Sequence, residues 1–314
     1  MNFFLSKFLL FTLFTILILF AISIYNRFYT YNDGYFKVDL GTEYVFIGDS
    51  HVECAVNPSM DSSINVAQAA EIYLHSYYKT KMILKENSNI KAIFLDFCNF
   101  QITTKQDSIL FDNAYLTKRY KAYMPFYSIQ ELWMLFKYNP KGLLNAHFKS
   151  LLPCLYHSIC YSKFSQDNFV GGYQLLSNVL LDNAKPTNID IKDDTSSNNN
   201  ISVLNLYYLD QIIELCNQNN IPLYFIRTPI NDKWEYFKLE RQYQNVLKTK
   251  YGDQVLLDFK DFPINNNEFA DKEHLNQKGA VKFTNFLNSM IQKGLLLSSD
   301  KQQFINAQIQ QLNK

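Results

Sequence analysis

Two short stretches of this chain hold the residue types needed for nucleophilic acyl chemistry. The first is EYVFIGDSHVE, Glu43 to Glu53, where an apolar run stops at Gly48-Asp49-Ser50-His51. The second is ADKEHLNQKGA, Ala270 to Ala280, with Asp271 three residues before His274. A serine hydroxyl becomes a nucleophile only beside a base, and the base needs an acid to orient it. Of the five histidines, His51 adjoins Ser50, so its side chain diverges from the serine's and it makes a poor base. His75 lies in an expected helix, and His147 and His157 lie in an aromatic middle region. Only His274 has an aspartate three residues before it, a spacing that lets the carboxylate fold back onto one imidazole nitrogen and leaves the other to take the serine proton. Alone, each motif has a plain alternative: Asp49 or Ser50 as a helix cap, and DxxH as a charged loop capping the last helix.

The elements that must position these residues read as α/β. Strands are expected at Tyr44–Ile47, Ser63–Val66, Lys91–Phe97, Pro222–Arg227 and Gln254–Phe259. Helices are expected at Ile72–Lys85, Leu204–Asn217, Trp234–Lys250 and Gln277–Gln292. Continuous apolar strands separated by helical segments predict a parallel sheet covered on both faces. Such sheets place ligands at the carboxyl ends of their strands, where both Ser50 and the Asp271–His274 pair fall. Between Thr103 and Asn200 the pattern changes to aromatic, helix-compatible pieces broken at Pro125, Pro140 and Pro153. A polar loop, DIKDDTSSNNN, Asp190 to Asn200, follows them.

From Phe8 to Tyr25 the run FLLFTLFTILILFAISIY contains no charge, glycine or proline. That length crosses a bilayer as a helix, and the absence of a polar face argues against a buried soluble helix. Ala21 and Ser23 offer only a weak signal-cleavage site, so an uncleaved anchor is the expectation. Charges flanking the span (Lys7 before, Arg27 and Lys37 after) are nearly balanced. The large domain behind a first apolar segment is expected outside the cytoplasm. The organisation predicted is an anchor at 1–25, a tether at 26–41, a domain at 42–298 with a helical insertion at about 103–200, and a tail at 299–314.

A formal net charge of +1 and the lack of a basic block exclude a general case for nucleic-acid binding. Five cysteines at irregular spacing make no disulfide framework. CLYHSIC puts Cys154, His157 and Cys160 on one helical face, but without a second ligand cluster it reads as a packed face rather than a metal site.

GDSH at Gly48 to His51, taken with ADKEHLNQKGA, resembles the SGNH/GDSL hydrolase superfamily over about Glu43 to Met290. The resemblance implies a flavodoxin-like three-layer α/β/α sandwich with a parallel sheet, here preceded by one N-terminal transmembrane helix. It implies Ser50 as nucleophile, His274 as general base and Asp271 as orienting acid, with no metal or organic cofactor. Its oxyanion hole implies the Ser50 backbone N–H, a backbone N–H after the second strand and an asparagine after the third. Those positions hold Ala70, in NVAQAA, where glycine is usual, and Asn99, in DFCNFQ. The plain alternative for Asn99 is a turn residue ending a strand.

With the anchor, the chain is similar to membrane-tethered members of that superfamily, such as the D-alanyl-lipoteichoic acid biosynthesis protein and alginate-type polysaccharide O-acetylation proteins. This implies a serine esterase acting on acyl, above all acetyl, esters of a cell-envelope polysaccharide or glycolipid. Two alternatives stay open. One is an O-acyltransferase working with a membrane-bound O-acyltransferase. The other is a catalytically weak anchored partner protein of a glycan-modification complex.

Overall fold

Five short strands form one parallel sheet: β1 (Tyr44–Ile47), β2 (Ser63–Asn65), β3 (Ala92–Asp96), β4 (Leu223–Arg227) and β5 (Val255–Asp258). Their order is β2-β1-β3-β4-β5, and every neighbouring pair is parallel. The computed structural model describes residues 2–29, 36–160, 171–179 and 201–312. The chain divides into two compact units, one built from 1–36 and 108–169, the other from 37–107 and 170–314.

The sheet belongs to the second unit, with α2 (Ser50–Ala55), α3 (Tyr73–Glu86), α8 (Val203–Gln218), α9 (Glu240–Lys250), α10 (Gln277–Gln292) and α11 (Lys301–Leu312). The strands are apolar on both faces because helices cover both. On one face Phe46, Phe94 and Ile226 pack into a core with Phe283 and Leu287 of α10 and Ile305 of α11. Phe46 and Phe94 stack across β1 and β3 at 4.6 Å. On the other face Phe225 and Phe97 stack at 4.7 Å and meet Tyr243 of α9 and Tyr251. The result is a three-layer α/β/α sandwich with the strand order of flavodoxin-like folds, whose switch point lies between β1 and β3.

Gly48, immediately after β1, serves this switch point by leaving room. A Cβ there would sit 2.3 Å from the Asp96 Cβ at the end of β3, so no other residue fits without moving a strand.

The other unit holds α1 (Asn2–Tyr29), α5 (Asn113–Tyr123), α6 (Ile129–Tyr138) and α7 (Pro140–Cys160); the short α4 (Lys105–Leu110) spans the boundary between the units. Within α1, Phe4–Phe28 is long and apolar enough to cross a membrane. The helix runs past Tyr25, and Asn26, expected in a tether, is buried with its amide donating to Leu151 O at 2.8 Å.

Three local expectations change. Pro153 does not end a helix but lies inside α7; it forfeits one backbone bond, which packing of α7 against α5 and α1 offsets. The expected helix Trp234–Lys250 is a 3-10 segment, Glu235–Leu239, followed by α9. The stretch read as a tail contains α11, whose Ile305 and Ile309 fill the core from a mostly polar sequence. The loop at 190–200 lies outside the described residues. So do the side chains of His157 and Cys160; Cys154 is buried.

Candidate active site

β1 delivers Ser50 to the first position of α2, where its backbone N–H is one of the helix-start donors with no acceptor inside the helix. Asp49 caps that helix by accepting the His51 N–H at 2.8 Å. Ser50 is therefore held at the carboxyl edge of β1 with its side chain partly exposed.

His274 reaches it from the loop between β5 and α10. An antiparallel bridge between Phe269 and Leu275, with the Ala270 N–H donating to His274 O at 2.8 Å, closes that loop on itself. Asn276 caps α10 by accepting the Lys278 and Gly279 N–H groups, while its amide donates to Asn267 O and Phe269 O. Asp271 folds back as the spacing predicts. Its Oδ1 accepts the Glu273 and His274 backbone N–H groups at 2.7 and 2.8 Å, and its carboxylate meets His274 Nδ1 at 2.9 Å. His274 Nε2 lies 2.7 Å from Ser50 Oγ. The serine, imidazole and carboxylate thus form one continuous hydrogen-bonded chain. Partial burial alone would raise the Asp271 carboxyl, but the hydrogen bond and charge of His274 hold it below the usual aspartate range.

Behind Ser50 lies a second Asp–His pair that the sequence did not disclose. Asp49 Oδ1 meets His51 Nδ1 at 2.8 Å with both side chains almost fully buried. Gln101 donates to Asp49 Oδ2 at 2.9 Å, and Asn205 donates to Gln101 O at 2.8 Å. Burial opposes charge on His51, but Asp49 outweighs it and keeps the imidazole protonated well above the ordinary histidine range. Asp49 is pulled the other way: burial raises it and His51 lowers it further, so it stays ionised. Asp96 beside them is driven well above the usual range, first by burial and then by the charge of Asp49. The His51 ring sits 5.6 Å from the His274 ring and 5.2 Å from Trp234. Trp234, with Ile230, Tyr236 and Cys98, makes a small apolar cluster there.

Among the described residues, Asp49, His51, Asp96 and Cys98 bring ligand-type atoms within 4.8 Å of one another. Asp49 and His51 are spent on each other, Cys98 Sγ donates to Asp96 Oδ2 at 3.6 Å, and burial pushes the Cys98 thiol up to about 12.

The two outer oxyanion positions part ways. Ala70 has φ of +56°, the left-handed conformation that glycine adopts without strain. Its loop is pinned by a wholly buried ion pair: Lys79 Nζ bonds Glu71 and, at 2.5 Å, Val66 O, while Ser76 donates to Glu71 at 2.8 Å. Asn99 is also buried, but both ends of its amide are engaged elsewhere. Nδ2 donates to Glu240 at 2.8 Å, and Oδ1 accepts from Arg227 at 3.2 Å. The wholly buried Arg227 guanidinium, which also bonds Asp258, claims those acceptors. Gln101, two residues further on, is the polar residue of DFCNFQ that turns toward the Ser50 loop. Nothing in the sequence separates it from Asn99.

One family model matches residues 186–296, less than half of the chain. No curated protein matches the sequence. Solved structures that resemble it include a protein assigned as an acylhydrolase from Bacteroides fragilis, with 10% identity, TM-score 0.35, and 80% of this chain and 87% of that one covered. Another is a GDSL-like lipase from Bacteroides thetaiotaomicron, with 8% identity, TM-score 0.36, and coverages of 82% and 90%. Likeness at that level leaves the site geometry to carry the functional reading.

Proposed function

We propose that this chain is a serine ester hydrolase of SGNH/GDSL type, with Ser50 as nucleophile, His274 as general base and Asp271 as its orienting acid. The observation that carries this reading is the 2.7 Å contact between Ser50 Oγ and His274 Nε2, with the opposite ring nitrogen on Asp271. As Ser50 Oγ attacks an ester carbonyl, its proton passes to His274 Nε2. Asp271 stabilises the imidazolium, which then gives that proton to the departing alcohol. Water, deprotonated by His274, cleaves the acyl-enzyme and restores Ser50. The backbone N–H groups of Ser50 and Ala70 serve the oxyanion. With Asn99 held by Glu240 and Arg227, the side-chain donor is missing from the ground state, and one lost donor costs about 10²–10³ in rate. Turnover of simple esters is therefore slow.

The substrate class proposed is a small acyl ester, above all acetyl, on a cell-envelope glycan or glycolipid, with α1 as the membrane anchor and the sheet domain outside the cytoplasm. The test is hydrolysis of an activated acetyl ester by the purified protein and by Ser50→Ala, together with fluorophosphonate labelling. Serine-dependent turnover and labelling support the reading; their absence overturns it. Adding a glycan acceptor and measuring acylated product divides hydrolysis from transfer to a sugar hydroxyl. Protease accessibility in intact cells reports the side of the membrane.

A further inference from the structure

The helices α6 and α7 carry their apolar residues on the wrong side for a soluble bundle. In α6 the exposed face is Ile129, Trp133 and Phe136, at i, i+4 and i+7, while Glu131 and Leu135 on the opposite face are buried. In α7 the exposed apolar residues among those described are Leu144, Phe148, Leu152 and Tyr156, about one per turn. The inward face of α7 is Leu143, Ala146, Ser150 and Cys154. Trp133 and Phe136 stack on each other at 5.9 Å, making a continuous aromatic surface on α6.

The seating of α7 on α1 says what meets this surface. Ser23 bonds His147 at 3.0 Å, and Asn26 bonds Leu151 O at 2.8 Å. Both partners advance in the same direction, so α7 runs alongside the C-terminal half of α1 in parallel sense. The covered stripe of α1 agrees: Thr15, Leu19, Ile22, Ser23, Tyr25, Asn26 and Arg27 are its shielded positions, while Phe4 to Phe14 are exposed all round. Eleven residues of helix span about 16 Å, roughly half the ~30 Å hydrocarbon core. By this register the first turns of α7 lie beside the second half of the apolar run, and Leu151 lies near its end. Charge is matched as well. Between residues 108 and 160 there are six Lys or Arg residues against two carboxylates, Asp112 and Glu131. Lys137, Lys141 and Lys149 are exposed beside the apolar stripes, and Lys149, two residues past His147, lies near the end of the apolar run of α1, where its ammonium reaches anionic headgroups. An aromatic and aliphatic face flanked by lysines is the composition of a lipid-facing surface that reaches the bilayer interface.

We infer that the exposed faces of α6 and α7 face the lipid of an anionic leaflet beside α1, so that this unit meets the membrane through three helices rather than one. The inference rests on reading α1 as a membrane anchor. Its test uses the full chain reconstituted in vesicles of phosphatidylcholine and phosphatidylglycerol. Trp133 is one of two tryptophans, so subtracting the emission of Trp133→Phe from that of the parent isolates its signal. The expected result is loss of most of the Trp133 emission when the acyl chains carry bromine near the headgroup, with protection from aqueous iodide. Trp133 emission that iodide quenches and bromolipid does not would overturn the inference, and would leave a protein partner as the occupant of this face. Equal shielding in pure phosphatidylcholine would overturn its anionic element. A chain extracted from the vesicles by carbonate would overturn the anchor reading and the inference with it, an outcome distinct from an anchored chain whose Trp133 stays wet.

Discussion

Two Asp–His pairs sit side by side in this protein, and only one of them touches a serine. Asp49–His51 and Asp271–His274 have nearly the same contact, 2.8 and 2.9 Å, but their side-chain exposures are 2%/2% and 54%/18%. The buried pair is a closed ion pair whose charges answer each other, with Gln101 bonding the spare carboxylate oxygen. The open pair leaves one imidazole nitrogen to Ser50 and the carboxylate partly in water. On the proposed function, the same two side chains thus make a rigid support in one place and proton-transfer machinery in the other. The difference lies in what the second ring nitrogen can reach.

The largest effect that tests this contrast is on turnover. Ser50→Ala and His274→Ala are each expected to lower kcat/KM for an activated ester by about 10⁴-fold or more without loss of folding, judged by circular dichroism. Asp271→Asn is expected to cost about 10²–10³-fold, less than removal of a buried triad acid, because water can partly solvate the imidazolium beside an exposed position. An effect of Asp271→Asn as large as that of Ser50→Ala would break the claim that exposure weakens its role.

The buried pair should respond in stability instead. His51→Leu leaves Asp49 charged and unpaired, and should lower the unfolding free energy in denaturant titration by about 3–5 kcal/mol. Activity per folded molecule should change far less; a fully stable but inactive His51→Leu would reverse the two assignments. Asp96 supplies a pH test with a definite sign. Its folded carboxyl titrates above its unfolded value, so its contribution to stability is full below about pH 4 and is lost as pH rises toward the folded value. Asp96→Asn, which has no such proton to lose, should match the parent in acid and exceed it at neutral pH, measured by Tm across pH. The smallest change is Ala70→Gly. Removing a Cβ from a left-handed residue should raise stability by about 0.5–1 kcal/mol with little effect on kcat, since the backbone donor is retained.

Much of this was legible from the residues. The apolar runs of β1, β3 and β4 announced a sheet buried on both faces, and the strand ends put Ser50 and the Asp271–His274 loop on one side. The D-x-x-H spacing worked because it is local: one carboxylate bridges the backbone and ring of a residue three positions later. The polar face of α11 hid its role, since Ile305 and Ile309 are too few to stand out among glutamines. Pro153 misled in the other direction, because packing on α7 outweighs a single missing hydrogen bond.

Local geometry, then, was already written in the chain: which segments are strands, where Ser50 sits, and how Asp271 meets His274. The fold settled which partner each buried polar group takes. Asn99 turns to Glu240 and Arg227 because a guanidinium 128 positions away is buried among them and must be surrounded by acceptors. The imidazole of His51 is drawn toward its protonated form because Asp49 is buried against it. Pairings of that kind depend on which charges are desolvated together, and neighbouring letters in a sequence do not carry that information.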